Sequence, residues 1–200
     1  MNYLAHLFLA GKNDGMIVGN LLEDYVVGGI ENAANRHLPE DVKAGLRLHR
    51  HIDTFTDSHP AVADCKQVFY PGFGKYAPVV VDVIFDHFLH LNWETFAREE
   101  FTDFKVRVYR CLTTRYTEYQ PSAMKAMVRS MVEYDWLKNY IYFEGVHKAL
   151  SSLNGRVKRV DLTTALPLVK THYDEINRLF LDFFAQLKVS CDLEIINYGK

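Results

Sequence analysis

Cysteine is scarce: Cys65, Cys111 and Cys191 are the only three in 200 residues. They stand far apart in no metal-binding spacing, which excludes a disulfide scaffold or a zinc knuckle and suits the reduced thiols of a cytoplasmic protein. Proline and glycine number 6 and 11 and nowhere gather into a linker, so residues 1–200 read as one domain. Neither sign of charge dominates. The 23 Lys and Arg against 25 Asp and Glu leave a net charge of −2, which argues against nucleic acid as a partner. The apolar start, MNYLAHLFLAGKN, is too short to span a bilayer, lacks a basic flank and carries His6 in mid-run. It reads as a buried helix, with no membrane partner. Strand-type alternation is nearly absent, and there is no glycine-rich phosphate loop.

What is present is helical periodicity over a chain that is 48% apolar and 14% aromatic. Helices are expected over 2–11 and over MIVGNLLEDYVVGG, stopping at Gly28-Gly29. Pro39 opens a long helix, PEDVKAGLRLHRHIDTFTD, with acidic residues in its first turn, that ends before His59-Pro60. After 61–69 the stretch YPGFGKYAP reads as a loop. VVVDVIFDHFLHLNW then reads as a helix despite its β-branched start, because of its length and its 82/86/90 spacing. Residues 94–113, 122–134, 143–155 and 160–188 complete the set. The fold class is all-α, a single-domain helical bundle of about seven or eight helices. The aromatic residues of the later half (Trp136, Tyr140, Tyr142, Phe143, Phe180, Phe183, Phe184) read as core.

Titratable groups concentrate in two places. LHRHIDTFTD at 48–57 puts His49 and Asp53 on one helical face, with Arg50, Asp53 and Asp57 on an overlapping stripe beside Leu46, Leu48, Ile52 and Phe55. VDVIFDHFLHLNW at 81–93 repeats the pattern with Asp82, Asp86 and His90 at four-residue steps and His87 adjacent. His6 and Asp24 add one group each from two further helices. An ion-pair ladder accounts for any one of these stretches. Together they put carboxylates and imidazoles among large apolar residues on four helices, and buried carboxylates need neutralising. A divalent cation held by inward side chains of a bundle does this. His and carboxylate donors without cysteine suit Mn²⁺, Fe²⁺ or Mg²⁺ better than Zn²⁺.

Four stretches in order, MNYLAHLFLA at the start, GNLLEDY at 19–25, LHRHIDTFTD and VDVIFDHFLHLNW, resemble the acyl carrier protein phosphodiesterases, an atypical branch of the HD-domain metal-dependent phosphohydrolases. Weaker agreement continues through WLKNY, LNGR and THYDEI. The resemblance implies an HD-like helical fold, a bound divalent metal with Mn²⁺ foremost, and a cytoplasmic enzyme of lipid metabolism. The implied reaction is hydrolysis of the 4′-phosphopantetheine–serine diester of holo-acyl carrier protein, to apo-carrier and 4′-phosphopantetheine. The matching positions are His6, Asp24, His49, Asp53, Asp86 and His87, with Arg50 beside them. His51 stands where relatives carry arginine, and the adjacent His-Asp pair of ordinary HD domains is here reversed as Asp86-His87.

On this reading His6, Asp24, His49, Asp86 and His87 are the metal ligands. Asp53 orients water or a ligand histidine, and Arg50 binds the phosphoryl oxygens. Lys43 and Arg47, on the helix that bears His49, are the residues expected to steer an acidic carrier protein; Arg107, Arg110 and the run Arg156-Lys158-Arg159 are weaker candidates. Two other readings compete: a phosphohydrolase of nucleotides or other small phosphoesters, and a non-catalytic helical module that binds an acidic carrier.

Overall fold

The computed structural model describes residues 1–158 and 160–198, so Arg159 of the basic run lies outside the described residues. Among these the chain is all-helical: twelve α-helices joined by short 3-10 turns, with no strand. The first is α1 (Tyr3–Leu9), whose Leu4, Ala5 and Leu7 are fully buried. It lies against α2 (Asp14–Leu22), α5 (Ala77–Leu91) and α12 (Tyr173–Tyr198). A helix buried on this scale has no water to satisfy its first-turn N–H groups. Asn2, which precedes α1, makes no side-chain cap. The Leu4 and Ala5 N–H groups instead donate to the two carboxylate oxygens of Asp86 on α5, at 2.8 and 3.1 Å.

Helix α2 is capped locally, by Asn13 accepting from the Met16 N–H. It ends at Leu22 and passes into a 3-10 turn over Glu23–Tyr25, well before the glycine pair that the sequence marks as its stop. α3 (Glu40–Ser58) begins after Pro39, with Glu40 and Asp41 in its first turn, and ends where expected. α2 and α3 cross on glycine. A Cβ on Gly19 would collide with the Val42 carbonyl oxygen, and one on Gly45 would collide with the Met16 carbonyl and the Gly19 Cα. The two backbones therefore lie closer than any side chain permits, and this seam carries the site.

The expected loop YPGFGKYAP is helical instead. α4 (Pro60–Phe73) runs through Pro71, Gly74 reverses the chain at φ +50°, and a single 3-10 turn leads into α5. Pro71 cannot donate to the Gln67 carbonyl and its ring crowds that carbonyl, a cost the helix carries just before it ends at Phe73. By composition Pro60–Leu91 is long and apolar enough to cross a membrane, but Gly74 divides it into two helices that pack on one another. The stretch expected as one helix over 94–113 is α6 (Trp93–Phe96) and α7 (Phe101–Thr114). After α8 (Ser122–Glu133), α9 (Trp136–Asn139) and α10 (Phe143–Leu153), the helix expected over 160–188 is likewise divided. A 3-10 turn capped by Asp161 leads to α11 (Leu166–Thr171), and α12 extends to Tyr198. Phe85, Phe180, Phe183 and Phe184 stack in the centre of the core. Of the aromatics expected there, Tyr142 is exposed.

Candidate functional site

A cleft of about 420 Å³ opens between α1, the α2–α3 seam, the start of α5 and the end of α10. His6, Asn20, Asp24, His49 and Asp53 line one side; Pro78, Val79, Asp82 and Val83 line another, and Leu153 and Arg156 also reach it. The His6 and His49 rings stack with centroids 4.1 Å apart. Both turn Nδ1 inward and Nε2 toward Asp53. Nε2 of His6 lies 3.3 Å from Asp53 Oδ1, and Nε2 of His49 lies 3.2 Å from Asp53 Oδ2.

The inward bonds fix the tautomers. His49 Nδ1 lies 2.7 Å from the main-chain carbonyl of Asn20. A carbonyl only accepts, so Nδ1 carries the proton. His6 Nδ1 lies 2.8 Å from Asn20 Oδ1, and the Asn20 Nδ2 donates to the His6 carbonyl at 3.1 Å. That second bond orients the amide, so His6 also donates from Nδ1. When neutral, both rings therefore aim bare Nε2 lone pairs at the same carboxylate. Lone pair against carboxylate is repulsive unless a proton or a cation stands between them.

Burial pushes the His6 pKa down against the hydrogen bond to Asp53. At His49 burial also acts downward, but the hydrogen bond and charge of Asp53 and the charge of Asp24 outweigh it and the pKa rises. For Asp53, burial acts upward, and the bonds to His49 and His6 override it to hold the carboxylate far below its usual range. The shifts favour a proton on His49 over one on His6, and the Met1 ammonium, 3.9 Å from Asp53 Oδ1, adds positive charge on the His6 side. The donor set suits a divalent cation: metal–donor distances of about 2.0–2.2 Å place neighbouring ligand atoms roughly 3 Å apart, close to the Nε2–Asp53 separations.

Two triads of donor atoms, each within 4.8 Å, share His49: His6, His49 and Asp53, and Glu23, Asp24 and His49. Asp24 Oδ1 is 3.9 Å and Glu23 Oε2 is 3.8 Å from His49 Nε2. Asp24 is the most exposed of these ligand candidates, with half its side chain in solvent.

Asp86 and His87, two of the five expected ligands, are buried and do not line the cleft. Asp86 is fully buried and caps α1 with both oxygens. Burial raises its carboxyl to about 7 against those two N–H donors. His87 donates from Nδ1 to the Tyr140 carbonyl at 2.6 Å and packs against Phe88 and Phe143; its buried Nε2 has no partner among the described residues. Asp53, expected to orient water or a ligand histidine, has each oxygen facing a histidine. Arg50, expected to bind phosphoryl oxygens, does not line the cleft. It pairs with Glu23 at 2.6 Å and donates to the Gly28 carbonyl. The Lys43 ammonium is tucked against Glu40 at 2.8 Å, and Arg47 pairs with Glu31 and Glu40, so the surface expected to steer an acidic partner is internally neutralised.

Sequence reasoning missed three residues. Glu23 is the neighbour of Asp24 in GNLLEDY, and spacing favours neither acid over the other. Asn20 precedes them, and periodicity gives a buried amide no role. Arg156, in LNGR, drew only a weak basic-patch reading, yet it lines the cleft beside the Met1 ammonium, which pairs with Asp82, and no ion pair or hydrogen bond engages its own guanidinium among the described residues.

Residues 1–187 match the family model for acyl carrier protein phosphodiesterase. A protein named acyl carrier protein phosphodiesterase from Enterobacter sp. is 32% identical over 94% of this chain and 96% of its own. One of the same name from Yersinia enterocolitica is 31% identical over 92% of this chain and 94% of its own. A third, from Photorhabdus laumondii, is 30% identical over 92% and 91%. No solved structure matches the chain.

Proposed function

The chain belongs to the acyl carrier protein phosphodiesterase family, and from that premise we propose that it removes 4′-phosphopantetheine from holo-acyl carrier protein with the help of one divalent cation, Mn²⁺ foremost. The observation that carries the metal-assisted reading is the pair of histidines whose Nε2 lone pairs converge on Asp53. His6, His49, Asp53 and Asp24 would hold the cation, with Glu23 within reach through the oxygen nearer His49. When bound, such an ion lowers the pKa of water and withdraws charge from a non-bridging phosphoryl oxygen.

The remaining work falls to the chain. Water's oxygen bonds to phosphorus, the bond from phosphorus to the carrier serine oxygen breaks, and a proton passes to that serine. Asp24, half-exposed on the cleft side, holds the attacking water through its second oxygen. Arg156 binds the non-bridging oxygens in the role first given to Arg50; its planar fork suits two of them at once. Arg50 instead keeps one Glu23 oxygen occupied, which turns the other toward His49.

The test is incubation of holo-carrier with the protein and Mn²⁺, followed by mass measurement of the carrier. Loss of the phosphopantetheine mass, abolished by chelator, is expected. An unchanged carrier beside turnover of a nucleotide or small phosphoester would move the substrate assignment. Turnover that withstands exhaustive chelation would remove the metal.

A further inference from the structure

We propose that Asn20 is a positioning residue that makes His6 a cation ligand, by locking its ring in the tautomer that leaves Nε2 bare toward the cleft. The inference rests on the metal-assisted reading above. Asn20 is fully buried, and both ends of its side-chain amide are spent on His6: Oδ1 accepts from the ring and Nδ2 donates to the His6 carbonyl. A neutral imidazole left to itself favours the proton on Nε2. Without the amide, the His6 ring can place that proton against Asp53, 3.3 Å away. It would gain a hydrogen bond there and lose the lone pair that a cation needs. The amide therefore decides between a second ion-pair rung and a ligand.

The two histidines depend on Asn20 in different ways, which makes the inference separable from a general packing role. His49 is held by the Asn20 main-chain carbonyl, and the glycine crossing of α2 and α3 brings that carbonyl to it. No substitution at position 20 removes a backbone carbonyl. Replacing the side chain should release His6 alone and leave His49 as an internal control. Outer partners that orient a ligand histidine typically carry about 10- to 100-fold in metal affinity.

The experiment reads ring tautomers by long-range ¹H–¹⁵N NMR on metal-free protein at about pH 8, where unperturbed imidazole is neutral, and Mn²⁺ affinity by calorimetry. Wild type should show Nδ1–H on both His6 and His49. In Asn20→Ala, His6 should switch to Nε2–H, His49 should not, and Mn²⁺ affinity should fall by about 10- to 100-fold. Asn20→Asp keeps an acceptor at the same place, so His6 should stay Nδ1–H and affinity should stay within a few-fold of wild type. A folded Asn20→Ala protein with His6 still Nδ1–H, or with unchanged Mn²⁺ affinity, overturns the proposal. If the alanine variant does not fold, Nε2–H on His6 in Asn20→Asp overturns it. Failure of wild type to bind Mn²⁺ would sink the metal-assisted reading instead, and the tautomers of the metal-free proteins would still decide the role of Asn20.

Discussion

Helix α1 touches two acid–histidine clusters made of the same residue types at the same helical spacings, and they do opposite jobs. One joins His6 to His49, Asp53 and Asp24 at the rim of a cleft. The other, Asp86 with His87 and His90 on α5, is sealed in the core. In the sealed cluster Asp86 and His87 bond to main-chain groups, and burial drives the pKa of His90 down to about 4. In the open one the inner nitrogens are satisfied, while the outer nitrogens and the carboxylate face one another across 3.2–3.3 Å. Residue type and helical spacing do not separate a scaffold cluster from a reactive one. What separates them is access: the open cluster lines the cleft, while the unpartnered His87 Nε2 and His90 Nδ1 are shut in the core.

Four perturbations sharpen this contrast. The largest effect should come from the open cluster. Asp53→Ala or His49→Ala should abolish Mn²⁺ binding and lower carrier turnover by about 1,000-fold or more, the several kcal/mol that a bound cation contributes at phosphorus, with only a small change in thermal stability. Calorimetry, a turnover assay and a melting curve check this, and full activity in either variant would refute the site.

Asp86→Ala should do the reverse. Two buried N–H groups at the start of α1 lose their acceptor, at about 2–5 kcal/mol in denaturant unfolding, while the folded fraction binds Mn²⁺ normally. The same residue predicts a pH dependence. Its folded pKa of about 7 is raised above the unfolded carboxylate value, so its contribution to stability is complete below about 4 and is lost as pH climbs through 7. Asp86→Asn should flatten that slope, and an identical slope in both proteins would count against the assignment.

Third, Arg156→Ala should lower kcat/KM by about 10- to 100-fold, the worth of charged hydrogen bonds to phosphoryl oxygens, without altering Mn²⁺ affinity. A parallel loss of affinity would mean that the arginine acts on the ligand set. Least should follow from Lys43→Glu with Arg47→Glu. Both cations are already paired with acids, so carrier turnover should change little. A selective loss on the carrier, with a small diester spared, would restore the docking role first read for them.

The all-helical class, the start and end of α3 and the helical character of VVVDVIFDHFLHLNW were legible in the sequence, because period and capping residues are local properties. The reach of α4 through Pro71 was not, since YPGFGKYAP has turn composition and α4 takes its support from packing on α5 and α12. Within the site, His6, His49, Asp53 and Asp24 were nameable from spacing and resemblance. Asp86 and His87 looked equivalent to them because a sequence shows which residues share a face of one helix, but not what backbone lies opposite. Glu23 and Arg156 escaped for the same reason: each sits in a 3-10 turn, Glu23–Tyr25 and Asn154–Arg156, and such short turns carry no periodic signal.

The bond from Asp86 back to α1 spans 82 residues. A growing chain therefore lacks the acceptor for two N–H groups of its first helix until the fifth has been made, and the entropy of closing so long a loop must be met first. Since His6 rides on that helix, ion affinity should require α1 to be docked, and metal uptake would report that event during refolding.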